Sequence, residues 1–367
     1  MPTLPPLTPL QRLIRRVLPA LLLATLAGGL AARLAVPLPW MIGPLFAIAI
    51  LRMAGARLEG PPGGRQVGQW AIGTALGLYF TPAVLGQLSR HGAVIALIAA
   101  SAVAVGLLGA LLLRRWTEVS PATAFFAALP GGASEMVVLA ERQGGAVDRV
   151  AAAHALRVML VVSIVPFVLV HWGQGGAEVF QPLATAVDGW RLPILFAASL
   201  AGVMLFGVLR IANAWVLGPL ACVGSLTALD LPLSGLPLEL VNGGQLLLGV
   251  ALGSRFSPSF FRAAPRFLGV SALATGLALL LSGAFVWLLA RFFADFVALP
   301  LPSLALAASP GGMAEMSVTA KVMHLSVPLV TATHVLRVVL LTVFAPLLCR
   351  YFLAWQASAH QQPGDPT

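Results

Sequence analysis

The sequence predicts an all-α polytopic membrane protein made of two homologous halves. Three observations carry that prediction. The first is composition: 367 residues are 59% hydrophobic and 9% charged, with a mean hydropathy of +0.94. A soluble chain carries about 25% charged residues. Twelve acids and 22 bases are too few to coat two globular domains of this length, which excludes a soluble enzyme and a free DNA-binding protein. The second is a series of apolar runs of spanning length. The third is that the runs repeat.

In order, the apolar runs lie near residues 17–35, 38–54, 66–81, 92–113, 121–140 and 149–171, then 192–210, 213–229, 240–256, 267–290, 300–320 and 327–353. Glycine- and proline-rich breaks separate many of them, as at Gly60-Pro61-Pro62-Gly63-Gly64 and from Pro232 to Pro237. The chain therefore divides into an N-terminal cytoplasmic tail (1–16), a first membrane repeat (17–171), a linker (172–191), a second repeat (192–353) and a C-terminal tail (354–367). The first run follows three arginines and imitates a signal peptide. The repeat assigns it to the fold instead, because Leu18-Pro19-Ala20 with Leu26-Ala27-Gly28 recurs as Leu192-Pro193-Ile194 with Leu200-Ala201-Gly202.

The duplication runs the length of each half. Trp40-Met41-Ile42-Gly43-Pro44 recurs as Trp215-Val216-Leu217-Gly218-Pro219. Gln69, Gly73, Gly77, Phe80 and Pro82 recur as Gln245, Gly249, Gly253, Phe256 and Pro258. Pro130-Gly131-Gly132 with Glu135-Met136 recurs as Pro310-Gly311-Gly312 with Glu315-Met316, and His154/Arg157 recur as His334/Arg337. The fifth and eleventh runs carry Pro-Gly-Gly at mid-depth, where a helix breaks and lipid satisfies no backbone group. If these two are re-entrant and ten runs cross, fifteen bases lie on the cytoplasmic side and five outside, with Arg157 and Arg337 in the membrane. If all twelve cross, the split falls to eleven against nine. Charge bias sets orientation, so the expectation is inverted repeats with about ten transmembrane helices, two broken ones and both termini in the cytoplasm.

Ionisable groups at bilayer depth mark a pathway or a partner. Here they are Glu135 and Glu315, directly after the breaks, and His154/Arg157 and His334/Arg337, each pair on one helix face by its i, i+3 spacing. A half-helix starting after Gly132 or Gly312 presents free N–H groups and the positive end of its dipole. Inverted-repeat transporters bind substrate at such ends. Two readings stand side by side. In one, Glu135–Arg157 and Glu315–Arg337 are buried ion pairs that hold the breaks. In the other, the same groups line a substrate or ion path. Ser134 is a further capping group, whereas its counterpart is Ala314. The candidate substrate-binding set is Gly131, Gly132, Ser134, Glu135, His154, Arg157, Gly311, Gly312, Glu315, His334 and Arg337, with Gln69 and Gln245 as outlying members.

The remaining features read as structure. Gly73/Gly77 and Gly249/Gly253 are small-residue pairs that let helices approach closely. Trp-x-x-Gly-Pro reads as an interfacial tryptophan with a kink. Cys222 and Cys349 lie inside apolar runs without CxxC spacing, and no metal, cofactor or catalytic motif stands out. The net charge of +10 is almost all arginine scattered between apolar runs. The partners expected are therefore the lipid bilayer and a small-molecule or ion substrate, with no direct nucleic-acid binding; a homo-oligomer is compatible.

The doubled Pro-Gly-Gly-x-x-Glu-Met followed by His-x-x-Arg-Val resembles the AbrB-type bacterial inner-membrane family, also catalogued as an ammonia monooxygenase, over about residues 17–353. The resemblance implies a duplicated, multi-pass membrane protein and attaches a name from regulation of gene expression. The function read from the residues is a secondary transporter of a small, carboxylate-bearing solute coupled to a proton or ion, and not an enzyme. The alternative is a membrane protein that regulates gene expression without transport. A membrane monooxygenase comes last: oxygen chemistry at copper or iron needs imidazole-rich ligation, and the chain has six histidines.

Overall fold

A computed structural model describes residues 8–172, 186–256, 264–293, 297 and 299–360. Pro258, most of the 172–191 linker and the outer parts of both tails lie outside them. Every secondary-structure element among the described residues is helical. In chain order they are α1 (Pro9–Arg33), α2 (Pro39–Met53), α3 (Gly64–Gly77), α4 (Pro82–Arg90), α5 (Gly92–Trp116), α6 (Pro121–Ala128), α7 (Ala133–Arg142) and α8 (Val147–Trp172). The second half contributes α9 (Leu192–Val208), α10 (Ala214–Ala228), α11 (Leu238–Gly253), α12 (Pro265–Phe292), α13 (Leu301–Ala308), α14 (Met313–Val322) and α15 (Val327–His360).

Among the described residues, five helices (α1, α5, α8, α12 and α15) are long and apolar enough to cross a membrane. They are six if α3 and α4, bent by 88°, form one broken span. Ten crossings are not reached on length alone. The reason is that α2, α9, α10 and α11 are apolar but only 15–17 residues long, against about 20 needed to span hydrocarbon untilted.

The duplication is written into the backbone. Left-handed residues fall at matching places in the two halves: Ala35 and Arg210, Leu38 and Asn213, Gly55 and Asp230, Gly144 and His324. Most end a helix, where a left-handed residue lets the chain turn away and its N–H groups reach back to the last carbonyls. Gly55 and Gly144 adopt this conformation freely, whereas Asp230 and His324 do so against a steric penalty.

The chain forms two compact units, and each draws helices from both halves of the sequence. The first holds Met1–Gln87, Pro166–Ala263 and Ser317–Pro328. Its helices interlock through glycines. A Cβ on Gly73 of α3 would stand 2.5 Å from the Val216 carbonyl oxygen of α10, and one on Gly77 would stand 2.7 Å from Val223 Cβ. The repeat-related Gly249 and Gly253 of α11 press in the same way on Met41 and Leu45 of α2. Within each half, α1 closes on α2 through Gly43, and α9 closes on α10 through Gly202 and Gly218. The Trp-x-x-Gly-Pro motif is thus a packing device, with Trp40 laid on Gly28. The repeat mates α3 and α11 cross antiparallel: Gly64 meets Leu247, Gly68 meets Gly244, and Gly244 meets Ala71. Arg12 and Arg16 of α1 hold the carboxylate of Glu59, which lies between α2 and α3. Partial burial raises that group's pKa, but the two guanidinium hydrogen bonds outweigh it and keep the pKa below the ordinary carboxylate value.

The second unit holds Leu88–Val165, Ala264–Met316 and Leu329–Thr367. Its repeat mates α5 and α12 also run antiparallel. Gly109 faces Ala274, while Arg114 and Arg115 at the end of α5 border one cavity with Arg266 at the start of α12. Phe125 and Phe126 are fully buried and meet edge to face with centroids 5.1 Å apart, which fixes α6 in this core.

Gly73→Ala should lose about 1–3 kcal/mol of stability by overpacking, read as a lower unfolding temperature in detergent. Gly29→Ala in α1, whose new Cβ would meet nothing within 4 Å, should be neutral or stabilising by up to about 1 kcal/mol. Equal effects would refute close glycine packing.

Candidate functional site

The two apolar runs with Pro-Gly-Gly are each two short helices, and both breaks lie in the second unit. Ser120 caps α6, its side chain accepting from Thr123 N at 3.2 Å. The helix stops at Leu129, whose ψ of 130° is extended, because Pro130 disfavours a helical predecessor. Gly132, again extended, precedes α7. The chain then returns to where it entered: Ala146 N, just past α7, donates to Thr123 Oγ1 in the first turn of α6 at 2.8 Å. In the second half α13 ends at Ser309, with ψ of 140°, and α14 begins after Gly312.

The helix ends created by these breaks meet His-x-x-Arg. Arg157 of α8 donates from Nη1 to the carbonyls of Ala128 and Leu129 at 3.2 and 3.0 Å, and from Nη2 to His154 Nδ1 at 2.7 Å. A guanidinium only donates, so His154 Nδ1 is the acceptor. The ring proton then sits on Nε2 and is donated to the Phe126 carbonyl, 2.9 Å away; this network assigns a neutral imidazole. In the second half Arg337 donates to the Ser309 and Gly311 carbonyls at 2.7 and 2.6 Å. His334, fully buried, faces the carbonyls of Ala307 and Ser309.

Apart from the bond to His154, these arginine hydrogen bonds thus go to carbonyls at the breaks, Arg157 to those that end α6 and Arg337 to Ser309 at the end of α13 and to Gly311 beyond it, rather than to the glutamate of the same repeat. The physics is direct. The last carbonyls of a helix lack intrahelical partners and carry the negative end of its dipole. A cation with five donors answers both needs. Glu135 and Glu315 lie at the opposite poles, in the first turns of α7 and α14, where a carboxylate suits the positive dipole end. Glu315 folds over Gly312, so that a Cβ there would strike Oε2. Met136 and Met316 pack on Gly131 and Gly311 in the same matched way.

The two breaks share one cavity. Pro130 and Pro310 line it together with Arg157, Ser271 and Thr275, and its volume of about 20 Å³ has room for about one water molecule. Arg157 Nε and Ser271 Oγ are buried without a hydrogen-bond partner. Ser271 and Thr275 do not stand out in the sequence; the available signal is a hydroxyl pair at i, i+4 on the apolar α12. Ser134 is exposed. Gln69 and Gln245 belong to the first unit, on α3 and α11 beside the Gly68–Gly244 crossing.

Removing Arg337 strands two buried carbonyls, at about 1–3 kcal/mol each. Arg337→Gln should therefore lower the unfolding temperature more than Glu315→Gln does. The reverse order would restore the Glu–Arg pair as the device that holds the break.

A family profile described as "Transition state regulatory protein AbrB" matches residues 40–353. The chain is 26% identical over 346 residues to the Bacillus subtilis (strain 168) protein named "Uncharacterized protein YhjN", covering 87% of this chain and 89% of that one. It is 25% identical over 334 residues to the Escherichia coli (strain K12) protein named "Putative regulator AbrB", covering 88% and 92%. No solved structure matches it. With a family profile spanning most of its length and a helical architecture compatible with a multi-pass membrane protein, the chain belongs to the AbrB family.

Proposed function

We propose that this protein is a secondary transporter of a small carboxylate-bearing solute, coupled to a proton or ion and resident in the bacterial inner membrane. The observation that carries the reading is the cavity shared by the two helix breaks, with unpartnered donors on Arg157 and Ser271 beside it. Broken helices from repeated halves, meeting around buried polar groups, are how inverted-repeat transporters build a substrate site. At about 20 Å³ the cavity is closed down on a water-sized space, so a solute enters only when the breaks part. Donors without partners favour an anion over an amine.

Inverted repeats are supported by the antiparallel crossing of repeat mates, α3 with α11 and α5 with α12. A re-entrant first break is supported by the bond from Ala146 back to Thr123. The five long helices, the bent pair and the four shorter apolar helices would together make ten crossings. A second reading, a membrane regulator without transport, is favoured by the name of the Escherichia coli relative.

Two measurements test the proposal. Arg142 and Val322, repeat mates that are both exposed, are each replaced by cysteine in a background without Cys222 and Cys349, and labelled with an impermeant thiol reagent on intact cells. Labelling of one position alone is expected. Labelling of both would overturn the inverted topology. For function, purified protein is melted with panels of carboxylates, amino acids and amines, since a bound ligand raises stability by mass action. A carboxylate should raise the unfolding temperature of the wild type, and Gly311→Val, which displaces Met316 from the break, should abolish that rise. No carboxylate effect, or an unchanged one in Gly131→Val and Gly311→Val alike, would contradict the site.

A further inference from the structure

A second polar cavity lies at one end of the second unit. It is open, has a volume of about 820 Å³, and is lined by Arg114, Arg115, Trp116, Glu118, Arg266 and Trp355 among others. We propose that it binds the phosphate of an anionic phospholipid headgroup.

The charges come from separate elements that the fold brings together. Arg114 and Arg115 end α5, Arg266 begins the antiparallel α12, and Trp355 sits on the last turns of α15. Glu118 is the one acidic residue among those lining the cavity, so three guanidinium groups face a single carboxylate. Arg114 spends one nitrogen on the Val119 carbonyl at 3.1 Å, while its buried Nε has no partner. Arg115 and Arg266 are exposed.

Arg266 is placed against the helix's own interest. It occupies the first turn of a 28-residue helix that has no acid there, and a cation at that end opposes the dipole. The same arrangement strengthens attraction for an anion, because the positive end of the helix dipole and a guanidinium fall in the same turn. The other end of α12 differs: Arg291 stands over the Phe292 ring at 5.9 Å.

The surroundings favour a lipid as the source of the anion. Trp116 and Trp355 are 45% and 55% exposed, and tryptophan rings settle at the headgroup level of bilayers. The helices that carry them expose Leu108, Leu347 and Tyr351 nearer their middles, a surface for acyl chains. Basic pockets between membrane helices are where anionic headgroups dock. The inference rests on the membrane residence proposed above but not on transport, and recovery of the protein in the membrane fraction tests residence separately.

The test uses the full chain purified in mild detergent. Unfolding temperature is followed against phosphatidylglycerol, phosphatidylcholine with the same chains, inorganic phosphate and glycerol 3-phosphate. Lipids retained after purification are read by native mass spectrometry. Phosphatidylglycerol should be retained and should stabilise the wild type where phosphatidylcholine does not. Arg115→Gln/Arg266→Gln, which removes two exposed charges, should weaken that effect about tenfold or more, and Arg291→Gln should leave it unchanged. Equal action of the two lipids would overturn the proposal, as would full retention by the double variant. Stabilisation by inorganic phosphate or glycerol 3-phosphate to the same extent would reassign the cavity to a soluble anion.

Discussion

Two buried guanidinium groups, each set on the carbonyl end of an interrupted helix, are the interaction on which the rest of this structure depends. A helix that stops inside an apolar unit leaves its last carbonyls without intrahelical partners, and burying them unpaired is costly. Arg157 gives those carbonyls two hydrogen bonds and a third to His154, while in the second half Arg337 gives one to Ser309 at the helix end and one to Gly311 within the break. The same contacts offset part of each arginine's own desolvation and leave each buried Nε without a hydrogen-bond partner. With the ends held, the extended residues Leu129 and Gly132 can persist at the break, and the two prolines come to border one cavity.

The arrangement sorts charge by helix pole. Arginines sit where α6 and α13 end, and glutamates where α7 and α14 begin. Each break therefore carries a cation on carbonyls on one side and a carboxylate in the first helical turn on the other. The cation at the cavity stays available to an anion, because carbonyl dipoles hold Arg157 in place without cancelling its charge. That is the link from local geometry to the carboxylate specificity proposed for the site.

Much of this is legible in the sequence because it is written twice. Pro130-Gly131-Gly132 and Pro310-Gly311-Gly312 locate the breaks, and His-x-x-Arg puts both side chains on one face. Spacing does not reveal what an arginine binds. Carboxylate and carbonyl partners demand the same residues, and only the position of the α6 and α13 ends decides between them. Ser271 and Thr275 are invisible for another reason: hydroxyls on an apolar helix usually bond their own backbone, as Thr275 does to the Ser271 carbonyl at 2.9 Å. The glycines at 73, 77, 249 and 253 are readable as contact points, yet not that each pair presses on a helix of the other repeat. That exchange explains why the compact units cut across the two halves of the sequence.

The meeting of the breaks is the claim from which the site follows, and it is open to direct measurement. In a chain lacking Cys222 and Cys349, cysteines replace Pro130 and Pro310, and a short bismaleimide is added to protein whose fold is checked by its unfolding transition. Rapid intramolecular cross-linking, absent from either single-cysteine protein, is the result this account predicts. Folded double-cysteine protein in which both thiols react singly with maleimide but never cross-link would contradict it.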